Sequence, residues 1–323
     1  MRRFGRLVLI VAALIVAILA GNFVYGWNAS GPLEHERQII IKPGSSLSLA
    51  AKALESEGVL KSASAFLNRA KVFGGSEPIK AGEFVIPAGA SNAQILNILQ
   101  GGKTVLRLIT IPEGTPSSIV HEKLMAESLL TGDVAVPKEG SVLPDSYSFE
   151  RGEKRSAVLG RMQKAMNDAI AELWPKKTAA SVVKTPEEAV ILASIVEKET
   201  ALARERRTVA AVYSNRVTRN MMLQADPTII YPITKGKPLG RRIRQSEIAA
   251  VNDYNTYSMV GLPKGPIANP GKASIEAVLN PAKSKALFFV ADGTGGHVFA
   301  ETLAEHNANV EKWFAIRRQR GEM

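Results

Sequence analysis

The sequence predicts an α+β protein carried on a single N-terminal transmembrane helix, with a small α+β subdomain followed by a larger mixed α/β domain. Three observations carry this. Residues 7–27 contain no charge. Residues 38–125 repeat an extended segment, a Gly turn and a capped amphipathic helix. From residue 126 onward, long helical patterns give way to a strand, a Gly-rich turn, a second strand and a final helix.

The first element is the anchor. Residues 1–6 form a basic head with Arg2, Arg3 and Arg6. The run LVLIVAALIVAILAGNFVYGW (7–27) would reach about 30 Å as a helix, the thickness of the hydrocarbon layer. Tyr25 and Trp27 fall where an interfacial aromatic belt belongs. The arginines before the span place the N-terminus in the cytoplasm and everything after it outside, in a single-pass inner-membrane topology. The rival is a cleaved signal peptide. With Ala20 at −1 it would need Ile18 at −3, where cleavage sites use small residues.

Residues 28–37 read as a linker. Residues 38–41 (QIII) read as a strand, and Pro43-Gly44 as a turn. Apolar spacing at Leu47, Leu49, Ala50, Ala53 and Leu54 predicts a helix from Ser46 to Glu57, stopped by Gly58. A helix over Ala63–Phe73, a strand over Ile79–Pro87 and a short helix over Asn92–Gln100 complete the pattern. The segments 41–54 (IKPGSSLSLAAKAL), 86–99 (IPAGASNAQILNIL) and 111–124 (IPEGTPSSIVHEKL) form a pseudo-repeat, each with a Ser, Thr or Asn cap position. Such units resemble LysM-like modules, so 38–125 reads as a LysM-like subdomain. A plain packing domain without a ligand fits the same pattern.

The larger domain, 126–323, begins with the turn-rich SVLPDSYSFE and a helix over Ser156–Leu173 closed by Pro175. Pro186, with Glu187 and Glu188 in its first turn, opens the next helix. If one helix continues through EEAVILASIVEKETALARERRTVAAVYSNRV, then Leu192, Ile195, Val196, Leu202, Ala203 and Ala210 lie within about 60° of Glu199. Glu197 lies about 160° away, on the smaller, more polar face. A carboxyl on an apolar face holds its proton toward neutral pH, as a general acid must. The same spacing also fits a buried glutamate paired with Arg206.

Downstream, Gln224 and Asp226 lie in a Pro-interrupted segment of the kind that lines clefts. Asn255 and Tyr257 stand beside a Gly/Pro-rich loop and have the chemistry of sugar recognition, though turn formation uses the same residues.

Composition excludes several classes. The 323 residues include no cysteine, so disulfides, thiolate metal sites and cysteine nucleophiles are out. The net charge of +11 favours an anionic surface or polymer, but no aromatic-interleaved basic motif points to nucleic acid. His297 and His306 do not form an HExxH pair, no GxSxG occurs, and no GK[ST] follows the glycines near 293. No metal and no cofactor are expected.

The motifs LASIVEKET, VYSNR, LQADPTIIY, YNTY, GLPKGPIANPG and FFVADGTGGHVF, in that order, resemble the endolytic murein transglycosylases of the YceG-like family. The resemblance covers essentially the whole chain, LPDSYSF included. It implies a lyase that cleaves nascent peptidoglycan strands at the membrane surface and is coupled to peptidoglycan synthases, with Glu199 as the catalytic acid. Gln224, Asp226, Asn255 and Tyr257 are the candidate substrate-binding residues. One departure is Pro232, where many members carry Gly. Two other readings stay open: a hydrolase in which Asp226 activates water, and an anchored glycan-binding protein without catalysis.

Overall fold

The computed structural model describes residues 2–322; Met1 of the basic head and Met323 lie outside the described residues. Its contacts divide the chain into two compact units. One runs to Arg107 and includes Phe149–Glu153; the other takes Leu108–Ser148 and the chain from Lys154 on.

In the first unit, α1 (Arg2–Asn28) contains the apolar span. β1 (Arg37–Ile41) and β2 (Gly82–Ile86) pair antiparallel, with Arg37 opposite Ile86 and Ile41 opposite Gly82. Between them run α2 (Leu47–Ser56) and α3 (Ala63–Phe73), and α4 (Asn92–Gly101) follows. The caps expected in the first two repeats are present, at Ser46 and Ser91, and Ser62 supplies one that the sequence reading did not name; the helix of the 111–124 segment instead starts after Pro116 with no side-chain cap. The side chains of Ser46, Ser62 and Ser91 accept from the amides of Leu49, Ala65 and Gln94, each satisfying a donor the helix would otherwise leave orphaned. Leu54, Phe66, Phe84, Ile86, Ile95 and Leu99 fill the core, and burying each of them contributes about 1.5–3 kcal/mol.

In the second unit, β3 (Arg107–Thr110) pairs with β4 (Ser146–Phe149), the strands in which the chain passes between units. The third repeat therefore separates from the other two: its helix, α5 (Ser117–Ala126), belongs to the second unit. The centre of that unit is a helical cluster of α6 (Arg155–Leu173), α7 (Pro186–Glu199), α8 (Ala203–Thr218), α9 (Asp226–Thr234), the short α10 (Gln245–Ile248) and α11 (Lys272–Leu279). Leu192, Ile195, Val196, Val209, Tyr213, Ile275 and Val278 make its core, and Ala189, Ala193, Ala210 and Ala277 let the helices approach closely.

The hairpin of β5 (Phe288–Ala291) and β6 (His297–Ala300) forms as the sequence predicts, and α12 (Leu303–Gln319) follows it. Asp292 holds the turn by accepting from the amides of Thr294 (2.7 Å) and Gly296 (3.0 Å). Glycine at 296 leaves room for Glu205, since a Cβ there would lie 2.6 Å from its Oε1 and displace it.

Candidate active site

Glu199 is the last residue of α7, and the chain leaves the helix immediately after it. Thr200 is extended (φ −141°, ψ 131°) and buried. Its hydroxyl donates to Glu205 Oε2 (3.4 Å) and accepts from the amide of Leu202 (3.1 Å), which commits the backbone to a turn. The single long helix assumed from the sequence is therefore two helices, and Leu202, Ala203 and Ala210 do not extend the stripe that carries Glu199. Leu192, Ile195 and Val196 are buried as expected, but so are Val190 and Ser194 on the opposite side. An apolar face alone thus distinguishes little on α7.

The distinction between the two glutamates comes from what each side chain faces. Glu197 accepts from the amide of Gly271 (2.9 Å) and lies 3.9 Å from Arg206, which also approaches Glu113 at 3.6 Å. The ion pair that could have made Glu199 structural belongs to Glu197 instead. Glu199 faces a pocket of about 260 Å³, lined by Tyr213, Arg216, Leu223, Gln224, Asp226, Tyr257, Phe289 and His306.

Glu199 Oε1 accepts from the Tyr213 hydroxyl at 2.9 Å. The residue keeps some exposure toward the pocket, yet its carboxyl is enclosed closely enough that burial pushes its pKa up to about 7. The Tyr213 hydrogen bond and the Arg216 charge pull the other way, and the Asp226 charge adds to the rise. Near neutrality the group is poised between acid and base.

Arg216 is buried and held rigidly. Its Nε donates to Leu287 O (2.7 Å), and its Nη1 donates to Met222 O, Leu223 O and Gln224 Oε1 at 3.0–3.1 Å. Its guanidinium lies over the Phe288 ring, whose centroid is 5.1 Å away. His306 stacks on the same ring at 5.1 Å, and burial, then Arg216, push its pKa down, so a neutral imidazole faces the pocket.

Three of the four expected binding residues meet Glu199 here: Gln224, Asp226 and Tyr257 all line the pocket. Asp226 Oδ1 accepts from the Tyr257 hydroxyl at 2.6 Å. Gln224 takes a left-handed backbone (φ 51°) that glycine adopts more readily, and its amide donates to Thr256 O. The Ala225 amide and the Thr228 hydroxyl both meet the Thr256 hydroxyl, at 3.0 and 2.8 Å, so the two pocket loops are fastened together.

The fourth, Asn255, is fully buried and does not line the pocket. Its Nδ2 donates to Ala250 O (2.6 Å) and Ile248 O (2.9 Å), and its Oδ1 accepts from the Tyr257 amide (3.0 Å). It shapes the loop that presents Tyr257. A second correction concerns residues 226–234. They form helix α9 rather than a loop, because Pro227 sits in the first turn, where its missing N–H costs nothing. Pro232 lies inside that helix. Tyr213, Arg216, Phe289 and His306 escaped the sequence reading; VYSNR and FFVADGTGGHVF contain three of them, but nothing local marks them as pocket residues.

The chain as a whole is similar to known proteins. A profile of the YceG-like family matches residues 39–312. An endolytic murein transglycosylase of Bacillus subtilis (strain 168) is 30% identical, with 94% of this chain aligned to 93% of that protein. A protein of the same description from Streptococcus pneumoniae (strain D39) is 31% identical over 84% of this chain and 57% of its own length. The crystal structure of a yceG-like protein from Listeria monocytogenes superposes with a TM-score of 0.51 at 28% identity, covering 85% of this chain and 99% of that one.

Proposed function

This chain belongs to the YceG-like family, and on that premise we propose that it is a membrane-anchored endolytic lytic transglycosylase, a lyase that cuts peptidoglycan within its glycan strands. The observation that carries the reading is Glu199: a carboxyl at the floor of a pocket, with its pKa raised to about 7 and one oxygen held by Tyr213.

The chemistry follows from one carboxyl changing roles. Protonated Glu199 gives its proton to the oxygen of the MurNAc–GlcNAc β-1,4 bond. The C1–O bond breaks, and its electron pair leaves with the GlcNAc hydroxyl. The Glu199 carboxylate then takes the proton of the MurNAc C6 hydroxyl as that oxygen bonds to C1. The product carries a 1,6-anhydro ring, Glu199 is protonated again, and no water is consumed. A pKa near the working pH serves both steps. Arg216 and the Tyr213 hydroxyl stabilise the carboxylate between them. Gln224, Asp226 and Tyr257 offer polar contacts to the sugar, and Phe289 an apolar face.

Asp226 in the same pocket favours a second reading, in which it activates water and the enzyme is a hydrolase. Mass spectrometry of glycan digested by the purified full chain separates the two. Anhydro ends are expected, and reducing ends in their place would overturn the transglycosylase. Glycan left uncut would favour an anchored binding protein.

The α1 span supports a single-pass anchor with a cytoplasmic N-terminus and both units outside. In that arrangement the substrate is nascent glycan close to the membrane, and peptidoglycan synthases are the natural partners. The first unit, two helices between paired antiparallel strands, supports the LysM-like reading, and glycan chains are the ligand proposed for it.

A further inference from the structure

We propose that the C-terminal tip of α3, Val72 and Phe73, rests in the outer-leaflet interface of the membrane and forms with Tyr25 a second lipid contact beside the transmembrane helix. The proposal rests on the reading of α1 as a membrane anchor.

α1 is firmly joined to its own unit. Trp27 is buried against Phe66, with ring centroids 6.2 Å apart, and against Phe73 at 5.8 Å. Phe73 also meets Phe23 at 5.6 Å. Asn92 Nδ2 donates to Gly26 O at 2.8 Å, and Arg69 Nε donates to Phe23 O at 3.0 Å. Gly26 makes room for this guanidinium, since a Cβ there would collide with it. The last turns of α1 are thus part of the folded unit rather than a free stalk.

The order of these contacts gives α3 a direction. Phe66 touches Trp27, and one turn later Arg69 reaches Phe23, which is about 6 Å further down α1 toward the span. Phe73 packs on Phe23 at 5.6 Å while still meeting Trp27 at 5.8 Å, so the end of α3 lies at the level of Phe23 to Trp27, where α1 leaves the span.

Arg69 fixes the depth. A guanidinium is costly in hydrocarbon and favourable among headgroups, so the level it occupies, between Phe23 O and Gly26, belongs to the interface. Phe23 to Trp27 then occupies the interfacial layer, which is several ångströms thick on each side of the bilayer. At that level the unit displays large apolar side chains: Val72 is 65% exposed, Phe73 39% and Tyr25 73%. Lys71 stands beside them, exposed and suited to lipid phosphates. Apolar exposure in water is unfavourable, and the interface removes that cost where the anchor already holds the unit.

The absence of cysteine makes the test direct, because a single Val72→Cys variant of the full chain accepts one environment-sensitive dye. Tyr25→Cys, labelled in the same way, reports on the anchor. Both are reconstituted in phosphatidylcholine/phosphatidylglycerol vesicles that carry a nitroxide at headgroup depth. The expected result is blue-shifted emission at both positions, quenched by the nitroxide at 72 as strongly as at 25. Quenching at position 25 with water-like, unquenched emission at 72 would overturn the proposal and leave the anchor standing. Unquenched emission at both positions would overturn the anchor as well.

Discussion

The Tyr213 hydroxyl donates to one oxygen of Glu199 across 2.9 Å, and among the described residues nothing bonds the other oxygen, which is left to the pocket. The two residues lie on different helices, α7 and α8, and the turn at Thr200 brings them together. This division of labour between the two oxygens fixes which one carries the transferable proton.

Removing the acid tests the division first. Glu199→Gln keeps the size and loses the proton. Anhydro-end formation should fall by about 10²–10⁴-fold, the usual contribution of a general acid. The thermal unfolding profile near pH 5 should barely change. Retention of more than a tenth of the wild-type rate in a folded variant would remove Glu199 from the acid role.

Tyr213→Phe should separate tuning from chemistry. The hydrogen bond lowers the Glu199 pKa, so losing it lets the pKa rise further. Activity requires the protonated form and declines as pH rises through about 7. The alkaline limb of the kcat/KM profile should therefore move up by about half to one pH unit, as expected for one hydrogen bond. A limb that stays put, or moves down, contradicts the assignment.

Glu199 also links stability to pH. Its carboxyl has an ordinary value of 4.5 and about 7 in the fold, so between these values the folded state holds a proton that the unfolded chain releases. The stability this proton contributes is complete below the lower value and is lost as pH rises through the upper one. At pH 8 the wild type should carry a penalty of about 2–3 kcal/mol that Glu199→Gln lacks. Chemical denaturation of both proteins at about pH 4 and pH 8 measures this. Equal differences at the two values would argue against an enclosed carboxyl.

Asn255→Ala and Tyr257→Phe should behave unlike each other. The first removes a buried side chain that ties Ile248 O, Ala250 O and the Tyr257 amide together, so it should destabilise by about 1–2 kcal/mol and lower kcat only through misplacement of Tyr257. The second leaves the backbone intact, so its effect should appear in KM with little loss of stability. If Asn255→Ala instead raises KM at full stability, the side chain meets substrate after all.

Much of this structure was legible in the sequence, for reasons visible in particular residues. Ser46 and Ser91 cap the helices they precede, and Gly293 and Gly295, both at positive φ, build the hairpin turn. These signals are local. The helix break was not legible because Glu199-Thr200-Ala201 contains neither Gly nor Pro; the break depends on Thr200 meeting Glu205, itself held by His297 at 2.8 Å from 92 residues downstream. The pocket was half legible for the same reason. Gln224, Asp226 and Tyr257 have polar chemistry in loop-like sequence, whereas Tyr213, Arg216 and Phe289 read as ordinary members of an amphipathic helix or strand. Asn255 had the right chemistry for a sugar, but its bonds go to the backbone.

The position of Glu199 at the final residue of α7 has one more consequence. The carbonyls of a helix converge at its C-terminal end and leave about half a negative charge there. A carboxylate at that spot is repelled by its own helix, an effect added to burial and worth about 0.3–1 kcal/mol. Reluctance to ionise is thus written into the direction of the chain: an acid placed at the other end of the same helix, where Glu187 and Glu188 sit, would give up its proton more readily.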